Sequence, residues 1–202
     1  MNSIKAVIFD LGNVILYFDH QKSLSQFAAL TGHTSEEYGK YIFEAGLKNE
    51  FDTGKIEPEE FYNKISIKFG LKISLNEFKQ IWGNIFWLNT DAESVINKLS
   101  GRIKLYLLSN TDALHYEYFM ANYPILQKLD KCYTSFGLKR VKPDPRIYEF
   151  VLKDINCRPE DVVYIDDCKE FIMTAKKIGI NTIHYIDNVI LAPELLNYGV
   201  VV

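Results

Sequence analysis

The chain has 202 residues, of which 48% are hydrophobic and 24% charged, and its formal net charge is −3. These values are ordinary for a globular protein and exclude global disorder, and so small a charge does not favour a nucleic-acid partner. No apolar stretch approaches the roughly 20 residues that span a bilayer. The cysteines Cys132, Cys157 and Cys168 match no metal or redox spacing. We therefore expect a cytoplasmic protein without a membrane partner.

The chain begins with a short apolar run and continues with a long helical segment. The run at residues 5–9 does not alternate in polarity, which predicts a strand buried on both faces of a parallel sheet. Residues 18–88 carry helix-start signals: Thr34 with Glu37, Ser74 with Glu77, and Pro58. We expect four helices and no strand in this segment, packed as a small bundle that forms a cap.

The rest of the chain alternates short apolar runs with helical segments. The runs lie at residues 104–108, 161–165 and 182–186. Helices are predicted after each of three further positions: Asp112, Asp144 and Cys168. This alternation predicts an α/β fold with a doubly wound, Rossmann-like parallel sheet. The core then comprises residues 1–17 and 89–202, with the four-helix-bundle cap at 18–88 inserted after the first strand.

Polar residues stand where these strands are predicted to end: Asp10, then Ser109 and Asn110, then Asp166 and Asp167, and finally Asp187. Open α/β sheets bind ligands at the carboxyl ends of their strands. Several acids gathered there would repel one another unless a cation lies among them, and magnesium prefers such oxygen ligands. Lys142 lies in the loop ahead of a predicted helix, where it can hold a phosphate group. The residues alone therefore suggest a site for magnesium and phosphate.

Four segments resemble, in order, the four motifs of haloacid dehalogenase-like hydrolases: residues 9–14, 108–111, 142–143 and 164–167. No one of these motifs is decisive, but their ordered combination is specific and covers almost the whole chain. The helical insert is similar in position and character to the first cap type of that superfamily. The opening Phe-Asp-Leu-Gly-Asn-Val is similar to that of phosphatases acting on α-D-glucose 1-phosphate.

This resemblance implies a phosphatase that hydrolyses a small phosphorylated metabolite, with a hexose 1-phosphate as the expected substrate. Asp10 would attack phosphorus and form an aspartyl-phosphate that water then cleaves. Lys142 would neutralise the charge on Asp10 and on the transferring group. Ser109 would bind a phosphate oxygen, helped by the Asn110 amide.

The resemblance also implies Mg²⁺ as the cofactor. Its expected ligands are the Asp10 carboxylate, the backbone carbonyl of Gly12 and the Asp167 carboxylate. Asp166 occupies a position that is commonly glycine in the superfamily, so we expect it to support the site or to serve as a further ligand.

Two positions depart from the family pattern. Most phosphatases of the superfamily have an acid/base aspartate where this chain has Gly12. Its absence predicts slow turnover, or a leaving group that departs easily, such as the anomeric oxygen of a sugar 1-phosphate. Asp19 is a candidate stand-in for the missing acid. Phe171 stands where the family often has aspartate or asparagine, which puts the support of the metal site in question.

Three other functions are weighed against hydrolysis. The glycine could indicate a pseudophosphatase or low-turnover regulatory protein that binds phosphate. A phospho-receiver domain also combines acids, a hydroxyl and a lysine, but in a different order along the chain. A true dehalogenase needs no magnesium, so the acidic pair Asp166 and Asp167 argues against it.

Overall fold

The computed structural model describes residues 3–186 and 190–202, so Asp187 lies outside the described residues. Its strands are β1 (Ala6–Phe9), β2 (Leu16–Phe18), β3 (Phe86–Leu88), β4 (Lys104–Ser109), β5 (Lys131–Thr134), β6 (Val162–Asp166) and β7 (Asn181–His184). Its α-helices are α1 (Gln21–Thr31), α2 (Ser35–Gly39), α3 (Leu47–Asp52), α4 (Pro58–Phe69), α5 (Leu75–Gly83), α6 (Thr90–Leu99), α7 (Ala113–Asn122), α8 (Ser135–Leu138), α9 (Pro145–Asp154), α10 (Lys169–Lys177) and α11 (Leu191–Leu196).

The central sheet is parallel and has the order β5-β4-β1-β6-β7. Residues of β1 alternate between two hydrophobic clusters. Val7 and Phe9 join one cluster with the apolar side of α6, and Ala6 and Ile8 join another with α9 and α10. Helices therefore cover both faces of the sheet, which explains why the first apolar run does not alternate in polarity. The predicted doubly wound α/β fold is confirmed.

The helices between β2 and β3 share a core of their own. Phe27 and Phe78 stack with ring centroids 4.9 Å apart, and Trp82 is completely buried among them. Both predicted capping boxes form at the starts of α2 and α5, and each satisfies backbone donors that the first helical turn leaves free. Gly70 ends α4 with a φ of 64°, a left-handed conformation that costs glycine little.

The expectation of four helices and no strand in residues 18–88 is wrong in two respects. The described residues of this segment form five α-helices, and a π-helical turn, Lys40–Glu44, follows α2. The strand β3 also lies within the segment and pairs antiparallel with β2. The aromatic and branched residues of β3 favour a strand once a partner is present, and this pairing outweighs their near-helical spacing. The first and last residues of the predicted cap, Phe18 and Leu88, are the last residues of β2 and β3, so both predicted boundaries lie in this two-stranded ribbon.

No helix among residues 3–186 and 190–202 combines the length and the apolar character needed to cross a membrane. The three cysteines are free thiols.

Candidate active site

Three carboxylates meet at the carboxyl ends of β1 and β6. Phe9 pairs with Ile165 in register, so the next residues along the two strands, Asp10 and Asp166, lie side by side. One oxygen from each of Asp10, Asp166 and Asp167 lies within 4.8 Å of the others. The sheet topology thus brings together acids that are separated by about three quarters of the chain.

Lys142 places its ammonium group among these acids. Its side chain is almost fully buried, and Nζ lies 2.7 Å from Asp10 Oδ1 and 2.6 Å from Asp166 Oδ2. Nζ also donates to the Leu108 carbonyl at 3.1 Å and lies 3.0 Å from the Tyr164 hydroxyl. Burial would lower the pKa of Lys142, but the charges of Asp10 and Asp166 outweigh it and raise that pKa. The lysine therefore remains a cation beside Asp10.

Phe171 contacts the site with its ring, whereas the family often has an aspartate or asparagine at this position. Its ring centroid lies 4.9 Å from Nζ of Lys142, a distance at which an aromatic face attracts a cation. Lys142 thus has the carboxylates on one side and this ring as a further neighbour. The phenylalanine at position 171 therefore contacts the lysine and adds no charge to the acid cluster.

The two adjacent acids of β6 differ in how many partners they already have. Asp166 is completely buried, with Oδ2 held by Lys142 and the Tyr164 hydroxyl, and Oδ1 accepting from the Cys168 backbone at 2.7 Å. Asp167 is partly exposed, and among the described residues its carboxylate accepts one side-chain bond, from Asn13 Nδ2 at 2.9 Å. Asp167 therefore has more oxygen capacity left for a cation than Asp166 has.

Asn13 owes its position to the tight loop after β1. Its φ of 56° lies in the left-handed region, which asparagine tolerates better than most residues. Its backbone N–H bonds Leu16 O at 2.8 Å, and its side chain reaches Asp167. The sequence interpretation missed this contact, although asparagine in a turn next to a catalytic motif was a visible signal.

The electrostatics of the acid cluster fit a divalent cation. Burial raises the pKa of Asp10 to about 7, and the charges of Asp166 and Asp167 add to the effect, while Lys142 opposes it. Burial also raises the pKa of Asp167. Three carboxylates this close together repel one another when all are ionised, and a cation between them removes that repulsion. Magnesium binds oxygen ligands of this kind. The residues present therefore fit Mg²⁺.

The expected phosphate-binding residues lie at the end of β4. Ser109 is the last residue of that strand and is almost fully buried. The side chain of Asn110 is already used: Nδ2 donates to the Lys142 carbonyl at 2.9 Å, and Oδ1 accepts from the Lys142 backbone N–H at 2.8 Å. This reciprocal pair fixes the loop that carries Lys142, so any direct contact of Asn110 with phosphate falls to its backbone amide.

A small cavity of about 60 Å³ opens beside these residues, between the core and the cap. Gly12, Ser109 and Asn110 line it from the core side, and Phe18, His20 and Lys48 are among its other walls. A Cβ atom placed on Gly12 would lie 2.8 Å from Cε1 of Phe18. Gly12 has no positive φ, so this ring, and not the backbone conformation, is what opposes a side chain at position 12.

The candidate stand-in acid, Asp19, lies elsewhere. Its Oδ1 accepts from the Gln21 backbone N–H at 2.9 Å, and the residue lines a neighbouring hollow with Phe43 and Glu44. The next residue, His20, does line the cavity beside Gly12.

A buried charge cluster joins the cap to the core beside the same cavity. Lys48 of α3 contacts Asp52 and lies 3.2 Å from Asp112, the residue that caps α7. His115 places Nδ1 2.8 Å from Asp112 and Nε2 3.0 Å from the Trp82 carbonyl. The sequence interpretation did not detect this cluster, because its members come from three separate segments.

Comparisons with known proteins agree with this geometry. Residues 1–185 match the profile of the family described as haloacid dehalogenase-like hydrolase. The chain is 30% identical over 187 residues to the D-ribitol-5-phosphate phosphatase of Bacteroides thetaiotaomicron, covering 89% of this chain and 90% of that protein. It is 27% identical to a sesquiterpene phosphatase of Aspergillus oryzae, covering 96% and 95% of the two chains.

A solved structure gives a similar result. A haloacid dehalogenase-family enzyme of Bacteroides thetaiotaomicron, in complex with magnesium and inorganic phosphate, superposes with a TM-score of 0.78 at 25% identity, covering 93% of this chain and 96% of that chain. The ordered motifs, the acid cluster with its buried lysine, and these relatives lead to one assignment. The chain belongs to the haloacid dehalogenase-like hydrolases and is one of their phosphatases.

Proposed function

We propose that the chain hydrolyses a small phosphomonoester in a magnesium-dependent reaction, through an aspartyl-phosphate on Asp10. The observation that carries the proposal is the contact of the Lys142 ammonium with Asp10 at 2.7 Å, inside a cluster of three carboxylates. A nucleophilic carboxylate needs a neighbouring cation to approach a negatively charged phosphate, and this site provides one from the chain itself.

The proposed reaction uses groups that the structure already orients. An Asp10 carboxylate oxygen attacks phosphorus, the bond from phosphorus to the leaving oxygen breaks, and Lys142 stabilises the charge on the transferring group. Ser109 donates to a phosphate oxygen. Water then cleaves the aspartyl-phosphate and regenerates Asp10. Tyr164 and Asp166 keep the lysine in place during both steps.

Asp10, the Gly12 carbonyl and Asp167 would hold Mg²⁺, and Asp166 is positioned to support them. When bound, the ion supplies positive charge that offsets the acids and draws the phosphate toward Asp10. The greater free oxygen capacity of Asp167 supports its assignment over Asp166 as the main β6 ligand.

The proposed substrate class is a phosphorylated sugar or polyol. The ribitol-phosphate phosphatase relative supports this class, and the small cavity suits a hydroxylated carbon next to the phosphate. The hexose 1-phosphate expected from the opening motif stays a prediction. The position of Phe18 supports this prediction. Its ring lies where an acid/base side chain at position 12 would begin, and without such a side chain the site suits a leaving group that departs easily, such as the anomeric oxygen of a sugar 1-phosphate.

One observation favours the second candidate, a phosphate-binding pseudophosphatase: position 12 has no acid/base side chain, and the Phe18 ring crowds the space where one would begin. The complete set of nucleophile, lysine and acids argues for turnover. Cytoplasmic location and the lack of a nucleic-acid partner remain predictions.

The test is release of inorganic phosphate from a panel containing ribitol 5-phosphate, hexose 1-phosphates, hexose 6-phosphates and nucleotides, with and without magnesium. We expect magnesium-dependent release from sugar or polyol esters, and none from the Asp10→Asn variant. Phosphate binding without release from any ester would favour the pseudophosphatase, and a preference for nucleotides would overturn the substrate class.

A further inference from the structure

Most of the polar groups beside the cavity next to Gly12 already have partners. Lys48 is neutralised by Asp52 and Asp112, and both ring nitrogens of His115 face oxygen acceptors. These groups form a wall whose hydrogen-bonding capacity is largely used within the protein.

His20 differs from these neighbours. Its Nδ1 is buried and has no hydrogen-bond partner among the residues that the structure describes. Buried polar atoms are nearly always paired, so an unpaired nitrogen on a ring that lines this cavity needs a reason. The ring also borders the second hollow, which has a volume of about 320 Å³ and runs along α1.

The surroundings of His20 suit a hydroxylated carbon chain. Its ring lies 5.1 Å from the Phe18 ring and 4.8 Å from the Phe43 ring, so apolar faces flank it. Burial lowers the pKa of His20 to about 3, and the charges of His115 and Lys48 act in the same direction. The imidazole is therefore neutral at pH 7, with one nitrogen that donates and one that accepts, as a hydroxyl group requires.

We propose that His20 recognises a hydroxyl group on the leaving-group side of the substrate, and so selects phosphorylated sugars and polyols over esters without hydroxyls. This inference rests on the proposed phosphatase function. It assigns His20 to binding, while the bonds to phosphorus are made and broken at Asp10. The cavity beside Gly12 is small, so the leaving group extends past His20 toward the second hollow.

The test compares two substrates, ribitol 5-phosphate and p-nitrophenyl phosphate, in the presence of magnesium. For His20→Ala we expect kcat/KM to fall about 3- to 10-fold on ribitol 5-phosphate, the loss of one hydrogen bond, and to change less than about 2-fold on p-nitrophenyl phosphate. His20→Asn should restore most of the loss, because its side-chain amide can hydrogen-bond a hydroxyl from the same position in the chain and asparagine also suits the N-cap of α1. His33→Ala, at an exposed histidine in the loop between α1 and α2, is the matched control and should behave as the wild type.

Equal losses on both substrates, or no rescue by asparagine, would assign His20 a structural role and overturn the inference. So would an unchanged His20→Ala variant, or a wild type that hydrolyses p-nitrophenyl phosphate and no hydroxylated ester. A wild type that releases phosphate from neither substrate with magnesium would instead refute the proposed phosphatase function itself.

Discussion

The fit of Phe18 against Gly12 leads to a prediction about the missing acid. Introducing an aspartate by Gly12→Asp tests whether the site lacks only a proton donor. The structure indicates that this single change fails for a steric reason. The new Cβ would lie 2.8 Å from Cε1 of Phe18, whereas carbon atoms in contact are normally about 3.5–4.0 Å apart.

The size of the clash sets the expected magnitude. The Phe18 ring must move by about 1 Å, and it is held by Phe86, whose ring centroid is 6.2 Å away, and by His20. Overpacking of this kind costs about 1–3 kcal/mol. We expect Gly12→Ala and Gly12→Asp each to lower the free energy of unfolding by that amount. In a Phe18→Ala background the same changes should cost less than about 0.5 kcal/mol, because the obstacle is gone.

The assay is a double-mutant cycle measured by urea unfolding, combined with phosphate release from a sugar phosphate. Coupling between the two positions should exceed about 0.5 kcal/mol. The double variant Gly12→Asp/Phe18→Ala should also hydrolyse the substrate at least about 10-fold faster than Phe18→Ala alone, a modest part of what a well-placed acid contributes. Additive free energies would refute the steric argument. Coupling without any gain in rate would show that a carboxylate at position 12 cannot reach the leaving oxygen.

Three further predictions concern the charged groups. Lys142→Met should lower the free energy of unfolding, measured in urea without magnesium, by about 3–5 kcal/mol, because Asp10 and Asp166 lose their cation. The same change should slow phosphate release at least about 100-fold. A variant of near-normal stability would contradict the pairing of Lys142 with these acids. Burial raises the pKa of Asp10 from 3.8 to about 7, so the metal-free protein should lose stability as the pH rises from about 4 to about 7. The affinity for Mg²⁺, measured by calorimetry, should increase from pH 6 to pH 8, because Asp10 must lose its proton to bind the ion. This pH dependence of the affinity must weaken in the Asp10→Asn variant. Lys48→Met should lower the thermal midpoint markedly, because Asp52 loses its cation and Asp112 keeps only its hydrogen-bond partners, His115 among them. Lys40→Met, at an exposed ion pair, should change stability by less than about 0.5 kcal/mol, and equal effects of the two changes would show that the Lys48 cluster contributes little.

The parts of the site that sequence could predict are those fixed by topology. Ser109 and Asp166 end strands, and Asp10 directly follows one, and all three strands are recognisable from short apolar runs. Once the runs are parallel neighbours in one sheet, their ends must meet, whatever the details of packing. The place of Lys142 can be predicted in the same way, because the residue lies just before a helix whose start is marked by Asp144 and Pro145. These positions need only secondary structure and strand order.

The parts that sequence did not predict depend on side chains that pack across segments. The contact of Phe18 with Gly12 requires the exact course of the loop after β1, including the left-handed Asn13. The pairing of Lys48 with Asp112 requires the docking of the cap on α7. The strand β3 was missed because a three-residue strand is stable only when its partner is in place, and local propensity does not reveal a partner 70 residues away.

The charge inventory of the acid cluster links metal binding to substrate binding. Three carboxylates face one ammonium group, so two negative charges remain unopposed when all the acids are ionised. The raised pKa of Asp10 shows that the protein alone does not stabilise this state. A phosphate dianion would meet net repulsion there, whereas one divalent cation supplies the missing charge and leaves Lys142 free to act on the phosphoryl group. In the proposed reaction, the acids that create the need for magnesium therefore also make phosphate affinity conditional on it. The proposal thus accounts for how a buried carboxylate, Asp10, would act as a nucleophile toward an anion.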